Sequence, residues 1–209
     1  MNEVAVRSQV LADWVPTTVL RQAALVGSYA ALVGALAQLT IQLPFTPVPI
    51  TGQTFGVLLG GMALGWRRAT LGMAAYVGSG LLGLPCFAGG NGGPSAVHAP
   101  SFGYLIGFIA AAALLGRLAE LGADRHPLLT LGSMFLGNAV IYAFGVIWLA
   151  IAIQVNLGTA LGLGLVPFLL GDAIKALLAA GVLPGVWKLI DPSPSARTTA
   201  ADQGRENPH

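Results

Sequence analysis

Charge is what this sequence has least of. Lys, Arg, Asp and Glu together make up 9% of its 209 residues, whereas 55% are hydrophobic and the mean hydropathy is +0.76. Soluble domains carry about 25% charged residues, so this composition excludes an ordinary soluble protein and indicates a chain solvated mostly by membrane lipid. The net charge of +2 comes from so few ions that it does not indicate nucleic acid, and we expect no nucleic-acid partner.

Cysteine and metal-ligand patterns are nearly absent as well. Cys86 stands alone, which excludes an internal disulfide and any cysteine metal cluster, and a small apolar filler is its favoured role. The three histidines, His98, His126 and His209, do not have the spacing of metal ligands. The sequence therefore predicts no metal and no cofactor.

Catalytic motifs are missing too. The sequence shows no paired carboxylates, no His/Cys cluster, no nucleophile elbow and no phosphate-binding loop. We therefore expect a protein that is not an enzyme. Without a phosphate-binding loop the chain does not hydrolyse ATP itself, so any ATP dependence must come from partner subunits.

Apolar segments separated by short polar connectors predict an all-α, polytopic membrane protein with six transmembrane helices. We place these helices at about 22–43, 52–64, 69–84, 102–118, 128–154 and 166–190, with a glycine-rich loop at 156–165. They form a single predicted membrane domain over residues 1–190, followed by a disordered polar tail over 191–209. The first apolar run is too long for the core of a cleaved signal peptide, so we expect none.

The positive charges indicate an orientation. Six crossings put both termini on one side of the membrane, and every basic residue except Lys175 then lies on that side. The three opposite loops contain no Lys or Arg. By the positive-inside rule this side is the cytoplasm, so the sequence predicts cytoplasmic termini and, as its location, the cell inner membrane.

The last apolar stretch, VPFLLGDAIKALLAAGVLPGVWKLI (166–190), carries two ions, Asp172 and Lys175. An ion at mid-membrane costs roughly 2.5–3.5 kcal/mol on insertion scales, and such ions usually face a bundle interior or a watery cavity. Residues three apart share one helix face and can pair. The pair is retained either to fix helix register or for function, and the rarity of intramembrane ions favours function.

Two loops on the outer side are unusual. PFTPVPITGQT (44–54) has three prolines in six residues and is predicted to be stiff and extended. In LPCFAGGNGGPSAVHAPS (84–101), glycines flank Asn91 on both sides, so the backbone can approach a ligand closely, which favours a binding loop over a passive connector. With Asp172 about two turns into the last helix, the three elements are predicted to form one outward-facing cavity.

Small residues recur every four positions in the first predicted helix, at Ala23, Gly27, Ala31 and Ala35. Such a pattern lets another helix approach closely within lipid. The partner is either a helix of this chain or a second protein, and the spacing alone does not decide between them.

Four ordered motifs resemble the BioY family, the biotin-specific S components of energy-coupling factor (ECF) transporters. They are PVPITGQTFGVLLGG (47–61), GLLGLPCFAGGNGG (80–93), SFGYLIGF (101–108) and PFLLGDAIKA (167–176), and the resemblance covers roughly residues 20–190. It implies a six-helix membrane protein that captures biotin with high affinity from outside. Its implied partners are a transmembrane coupling subunit and two cytoplasmic ATPases, which drive uptake.

The resemblance also implies substrate-binding residues. Asn91 matches the asparagine of the family's glycine-rich loop, and Asp172 and Lys175 match its acid–base pair on the last helix. Gln53 matches the polar residue of the proline-rich loop, and Tyr104 matches the tyrosine of the fourth helix.

The same resemblance also bears on the roles of three further positions. Leu105 stands where some members carry an arginine for the biotin carboxylate, so that cation is missing here. Ala31 and Ala35 match the small-residue patch that docks the coupling subunit, which favours docking to a second protein.

The chemistry of biotin fits these residues. Its ureido ring offers two N–H donors and a carbonyl, which Asp172 and either Asn91 or Lys175 can satisfy. Its apolar edge and valeryl chain would lie against Phe87, Tyr104 or Phe168. The competing hypothesis is a self-powered carrier or channel that uses Asp172 as a proton relay, although relays usually need more than one titratable group.

Overall fold

The structure, a computed structural model, describes residues 10–14 and 18–190; side chains at 14 and 188–190, and the predicted tail at 191–209, lie outside the described part. The described chain forms seven α-helices and one two-stranded hairpin. The helices are α1 (Val19–Gln38), α2 (Gln53–Leu64), α3 (Trp66–Leu81), α4 (Phe102–Glu120), α5 (Pro127–Ala152), α6 (Leu157–Gly164) and α7 (Leu169–Ile190), and the strands are β1 (Thr40–Ile41) and β2 (Ile50–Thr51).

The predicted long helices are confirmed, with shifts at their ends. α1 begins after Thr18, whose side chain accepts a hydrogen bond from the Arg21 N–H, and it ends at Gln38 rather than at residue 43. α2 turns sharply into α3 at Gly65, whose φ of +77° is a conformation that favours glycine. α5 begins with Pro127, in the first turn, where a missing N–H costs nothing.

The prediction of a loop at 156–165 is wrong. α6 occupies most of it, because the Asn156 side chain accepts a hydrogen bond from the Thr159 N–H at 2.9 Å and caps the helix. The proline-rich segment also differs from a simple extended loop, since β1 and β2 pair antiparallel on either side of it, Thr40 with Thr51 and Ile41 with Ile50.

The last helix starts later than predicted. Residues Val166–Phe168 form a short 3-10 turn, and α7 begins only at Leu169. Asp172 therefore lies in the first turn of α7 rather than about two turns into the helix. The acidic group is thus at the hairpin end of the bundle.

Four helical stretches in the described chain are long and apolar enough to cross a membrane: Val19–Gln38, Phe102–Glu120, Pro127–Ala152 and Leu157–Trp187. α2 is apolar but has 12 residues, and α3 has 16. At 1.5 Å per residue these two are too short to cross a hydrocarbon core of about 30 Å without help from neighbouring segments.

α4 is the central helix and packs against α2, α3 and α5. Its contact with α5 uses two reciprocal glycines. A Cβ on Gly103 of α4 would lie 2.2 Å from the side chain of Trp148, and one on Gly145 of α5 would lie 2.4 Å from the ring of Tyr104. Each glycine therefore makes room for an aromatic ring of the other helix, and this packing fixes Tyr104 in place.

Apart from Asp172 and Lys175, the charged residues of the described chain gather at the end of the bundle opposite the hairpin. Arg68 Nη1 lies 2.8 Å from Asp13 Oδ1, and the Trp66 N–H donates to Glu120 at 3.2 Å. In the connector between α4 and α5, Asp124 is fully buried and accepts a hydrogen bond from Trp187 Nε1 of α7; burial raises the pKa of this carboxyl. The described contacts agree with the one-sided distribution of charge in the sequence.

We expect Gly145→Ala to lower stability by about 1–3 kcal/mol, because the added methyl group collides with the Tyr104 ring in a closely packed contact. Gly132→Ala in the same helix is the matched control, since nothing lies within 4 Å of its Cβ position. Thermal unfolding in detergent measures both variants. Equal melting temperatures for the two would contradict the packing described for α4 and α5.

Candidate ligand-binding site

A cavity of about 470 Å³ opens at the hairpin end of the bundle. The hairpin, the 84–101 loop, the adjoining ends of α2, α4 and α7, and the middle of α5 enclose it. Six aromatic side chains contribute to its wall: Phe87, Phe102, Tyr104, Phe108, Tyr142 and Phe168. The three elements expected to converge on one cavity therefore do so, and all three aromatic residues expected beside a ligand line it.

Asp172 is the only charged residue of the described cavity lining, and it is 5% exposed. Its Oδ1 lies 2.9 Å from Lys175 Nζ, which confirms the ion pair expected from the spacing. Lys175 Nζ also donates to the Thr51 carbonyl at 2.9 Å and to Thr54 Oγ1 at 3.2 Å. These three bonds use all the donors of an ammonium group, so Lys175 orients Asp172 and anchors the hairpin from behind the cavity wall.

Tyr142 is a site residue that the sequence reasoning missed. Its hydroxyl donates to Asp172 Oδ2 at 2.5 Å, and its side chain lines the cavity. Both carboxylate oxygens of Asp172 are thus held by donors from two helices. A signal was present in the sequence: Asn138 and Tyr142 lie one turn apart in a mostly apolar helix, as polar residues that face a bundle interior do.

Gln53 lines the cavity with its side chain already bonded on both sides. The Thr51 hydroxyl donates to Gln53 Oε1 at 2.9 Å, and Gln53 Nε2 donates to the Tyr76 hydroxyl at 2.7 Å. Tyr76 in turn donates to the carbonyl of Cys86 at 3.1 Å. This series of bonds ties the hairpin to the 84–101 loop, so Gln53 helps to fix the shape of the cavity.

Tyr104 contributes its ring to the cavity and its hydroxyl to the scaffold. The hydroxyl donates to the carbonyl of Gly164, at the end of α6, at 2.6 Å. A Cβ on Gly164 would lie 2.4 Å from this oxygen, so the close approach needs a glycine. The α6 segment that the sequence reasoning treated as a loop therefore holds a cavity wall in place.

Asn91 lies at the exposed edge of the cavity, in a tight turn. The Phe87 N–H donates to the Asn91 carbonyl at 2.9 Å, and Asn91 Nδ2 donates to the Ala88 carbonyl at 2.7 Å. Gly89 and Gly90 have φ values of +70° and +73°, which explains the glycines of this loop. An amide carries two hydrogens on its nitrogen, so Asn91 keeps a second donor.

No Lys or Arg belongs to the described lining of the cavity. Leu105 lines it as an apolar residue. The exposed polar side chains of the lining include Gln42, Asn91 and Ser95, at its outer edge. Among the described residues, no group of three or more His, Cys, Asp or Glu side chains is placed to hold a metal ion.

The small-residue positions of α1 form an exposed stripe. Ala23, Gly27, Ala31 and Ala35 are all exposed, whereas Val33 and Ala37 on the other face are fully buried. The described part of the chain therefore does not use this stripe for its own helix packing. Of the two explanations that the spacing left open, docking to a second protein is the one this exposure favours.

Comparison with known proteins decides the family. The model of the BioY family matches residues 6–192 of the sequence. The chain belongs to the BioY family. The biotin transporter BioY of Thermotoga maritima is 39% identical over 170 residues, which is 81% of this chain and 98% of that protein. The biotin transporter BioY of Rhizobium etli is 36% identical over 168 residues, 77% of this chain and 89% of that one.

The fold agrees with this membership. A crystal structure of the S-component for biotin from an ECF-type ABC transporter superposes with a TM-score of 0.75 and 30% identity. The match covers 83% of this chain and 95% of that chain. The chain is therefore a mostly helical integral membrane protein with the fold of a transporter S component, and the relatives are transporters rather than enzymes.

The ion pair beside the cavity makes a prediction about stability. Lys175→Met leaves the buried Asp172 carboxylate without its cation and should cost about 3–5 kcal/mol, because one partner of a buried pair is removed. The double variant Lys175→Met with Asp172→Asn should regain part of this loss, since no uncompensated charge remains. Thermal unfolding in detergent of the two single variants and the double variant tests this prediction. If the stability lost in the double variant equals the sum of the losses in the two single variants, the two residues are not coupled and the prediction is contradicted.

Proposed function

We propose that this BioY-family chain is the biotin-specific S component of an ECF-type transporter and captures biotin with high affinity from the extracytoplasmic side of the inner membrane. One observation carries the proposal: a buried carboxylate, Asp172, lines the cavity at the hairpin end of the bundle while two donors hold its oxygens. The biotin-transporting relatives and the biotin S-component fold support it independently.

The ureido ring of biotin is complementary to this carboxylate. A carboxylate has about four lone-pair sites, and Lys175 and Tyr142 use one on each oxygen. One of the remaining sites can accept a ureido N–H group; the two N–H bonds of the cyclic urea diverge on either side of its carbonyl, so a single carboxylate accepts only one of them. Because a buried donor left unpaired costs about 1–3 kcal/mol, this arrangement favours a ureido ring over rings that lack these donors.

Two groups of the lining are available for the ureido carbonyl. One is the second amide hydrogen of Asn91. The other is the hydroxyl of Thr54, whose oxygen already accepts from Lys175 and whose hydrogen is left to donate. Lys175 acts through its bonds to Asp172 and Thr54 and so positions residues that touch the ligand. Gln53 acts in the same way through its bond to Tyr76.

The apolar part of biotin fits the rest of the cavity. The sulfur-containing edge and the valeryl chain would lie against Phe87, Tyr104 and Phe168. With Leu105 in place of a cation, we assign the carboxylate of biotin to the outer edge, where Ser95 is exposed and water solvates the charge. This placement keeps an unpaired carboxylate out of the low-dielectric interior.

For the remaining architecture we propose six membrane crossings with both termini in the cytoplasm. The absence of Lys and Arg from the outer loops and the gathering of charge at one end of the bundle support this orientation. The partners are a transmembrane coupling subunit that docks on Ala31 and Ala35, and two ATPase subunits that supply the energy this chain cannot. The exposure of the α1 stripe supports the docking site.

We expect Asp172→Asn to weaken biotin binding at least tenfold, because an amide replaces an acceptor of a ureido N–H group with a donor and removes the charge. Asp124→Asn is the matched control: it also changes a buried aspartate, but at the opposite end of the bundle, and should bind like the parent chain. Isothermal calorimetry in detergent gives both affinities. Parent-like affinity in Asp172→Asn would remove Asp172 from the site.

The docking stripe makes a separate prediction. The double substitution Ala31→Leu and Ala35→Leu should leave biotin binding unchanged. It should reduce ATP-dependent uptake at least fivefold, because the larger side chains keep a partner helix from close approach. Leucine at Ala75, an equally exposed alanine of α3, is the control. Radiolabelled biotin uptake is measured with and without co-expressed coupling and ATPase subunits. Full uptake by the Ala31/Ala35 variant would rule out this docking site.

A further inference from the structure

A second cavity, of about 520 Å³, lies where α3 begins and α4 ends, at the opposite end of the bundle from the biotin cavity. Its lining consists of Trp66, Arg67, Ala113 and Arg117. Two guanidinium groups and one indole thus share a small recess. Nothing in biotin capture uses this recess.

The recess is held rigidly by backbone packing. A Cβ on Gly116 of α4 would lie 2.4 Å from the backbone nitrogen of Trp66, so only glycine lets the two helices come this close. Glu120 bridges them, since its Oε1 accepts from the Trp66 N–H at 3.2 Å and its Oε2 lies 2.9 Å from Arg117 Nη1. The start of α3 and the end of α4 are therefore fixed relative to each other.

The charges in the recess do not balance. Glu120 is the one acid at this site and pairs with Arg117, whose side chain remains 66% exposed. The Arg67 guanidinium lies 5.4 Å from the centre of the Trp66 ring, and no described carboxylate forms an ion pair with it. The two arginines and one glutamate give the recess one net positive charge. Most of the guanidinium N–H donors remain free to bind an anion.

The surroundings of the recess indicate which kind of anion binds there. Tryptophan and arginine at the ends of apolar helices lie at the level of the lipid head groups. Leu71, one turn along α3 from Arg67, is 60% exposed and continues the same face toward the membrane interior. An anion that binds here is thus placed beside apolar surface that an acyl chain can cover.

From this arrangement we infer that Trp66, Arg67 and Arg117 form a binding site for an anionic phospholipid. The lipid phosphate accepts hydrogen bonds from the two guanidiniums, which suit phosphate because their planar donors can bind two oxygens at once. Its acyl chains lie along α3 past Leu71. The Trp66 N–H takes no part in this binding, because it is already bonded to Glu120.

The test uses the full-length purified chain in detergent and native mass spectrometry. Phosphatidylglycerol and phosphatidylcholine with identical acyl chains are titrated, and we expect the chain to prefer phosphatidylglycerol at least fivefold. Arg67→Gln and Arg117→Gln should each reduce that preference at least threefold. Arg21→Gln removes an exposed arginine of α1 at the same end of the bundle and should leave it unchanged.

Glu120→Gln should change the affinity for phosphatidylglycerol in the opposite direction from the two arginine variants. The amide oxygen can still accept the Trp66 N–H, but the charge that competes for Arg117 is gone, so phosphatidylglycerol should bind more tightly. Biotin affinity, measured on every variant, should stay at the parent value and shows that the bundle remains folded.

Three outcomes would overturn the lipid site. One is an equal loss in Arg21→Gln and Arg67→Gln, which would mean attraction to the whole charged end of the bundle. Another is displacement of phosphatidylglycerol by inorganic phosphate, which would mean that the acyl chains play no part. The third is equal binding of both lipids by the parent chain. None of these outcomes would affect the proposal of biotin capture, which rests on the opposite end of the molecule.

Discussion

The rest of the structure depends on one buried carboxylate. Asp172 is stable in its position because Lys175 and Tyr142 donate to its two oxygens, and because Lys175 also bonds the Thr51 carbonyl and the Thr54 hydroxyl. These contacts join α5, α7, the hairpin and the start of α2 around a single charge. A carboxylate without them would be too costly to keep at this depth. The scaffold thus presents a hydrogen-bond acceptor to the cavity at the hairpin end of the bundle.

Most other polar groups around the cavity are bonded to the protein itself. Gln53 is held by Thr51 and Tyr76, and the hydroxyl of Tyr104 is committed to the carbonyl of Gly164. The cavity is therefore formed before a ligand enters, which lowers the ordering cost of binding. The other charged residues of the described chain lie at the opposite end, where Arg68, Asp13 and Glu120 tie the helices together.

The sequence predicted the features that depend on composition and local spacing. The scarcity of charge predicted the membrane helices, and the three-residue spacing of Asp172 and Lys175 predicted their ion pair, which is present. Features that depend on distant contacts were missed. No local pattern shows that Tyr142, 30 residues before Asp172, donates to it. The helix α6 was mistaken for a loop because its glycines outweighed the cap that Asn156 provides. The three bonds of Lys175, to Thr51, Thr54 and Asp172, likewise depend on the fold and cannot be read from the sequence.

The central claim is that the Asp172 carboxylate accepts a hydrogen bond from a ureido N–H group of biotin. The most direct measurement compares, by calorimetry on the purified parent chain, the affinities for biotin and for a derivative methylated on both ureido nitrogens. Methylation removes the donors and leaves the carbonyl, the sulfur ring and the valeryl chain in place. We predict that the methylated compound binds at least a hundredfold more weakly, since about 1–3 kcal/mol is lost for each buried group left unpaired. Equal affinities for the two compounds would contradict the account.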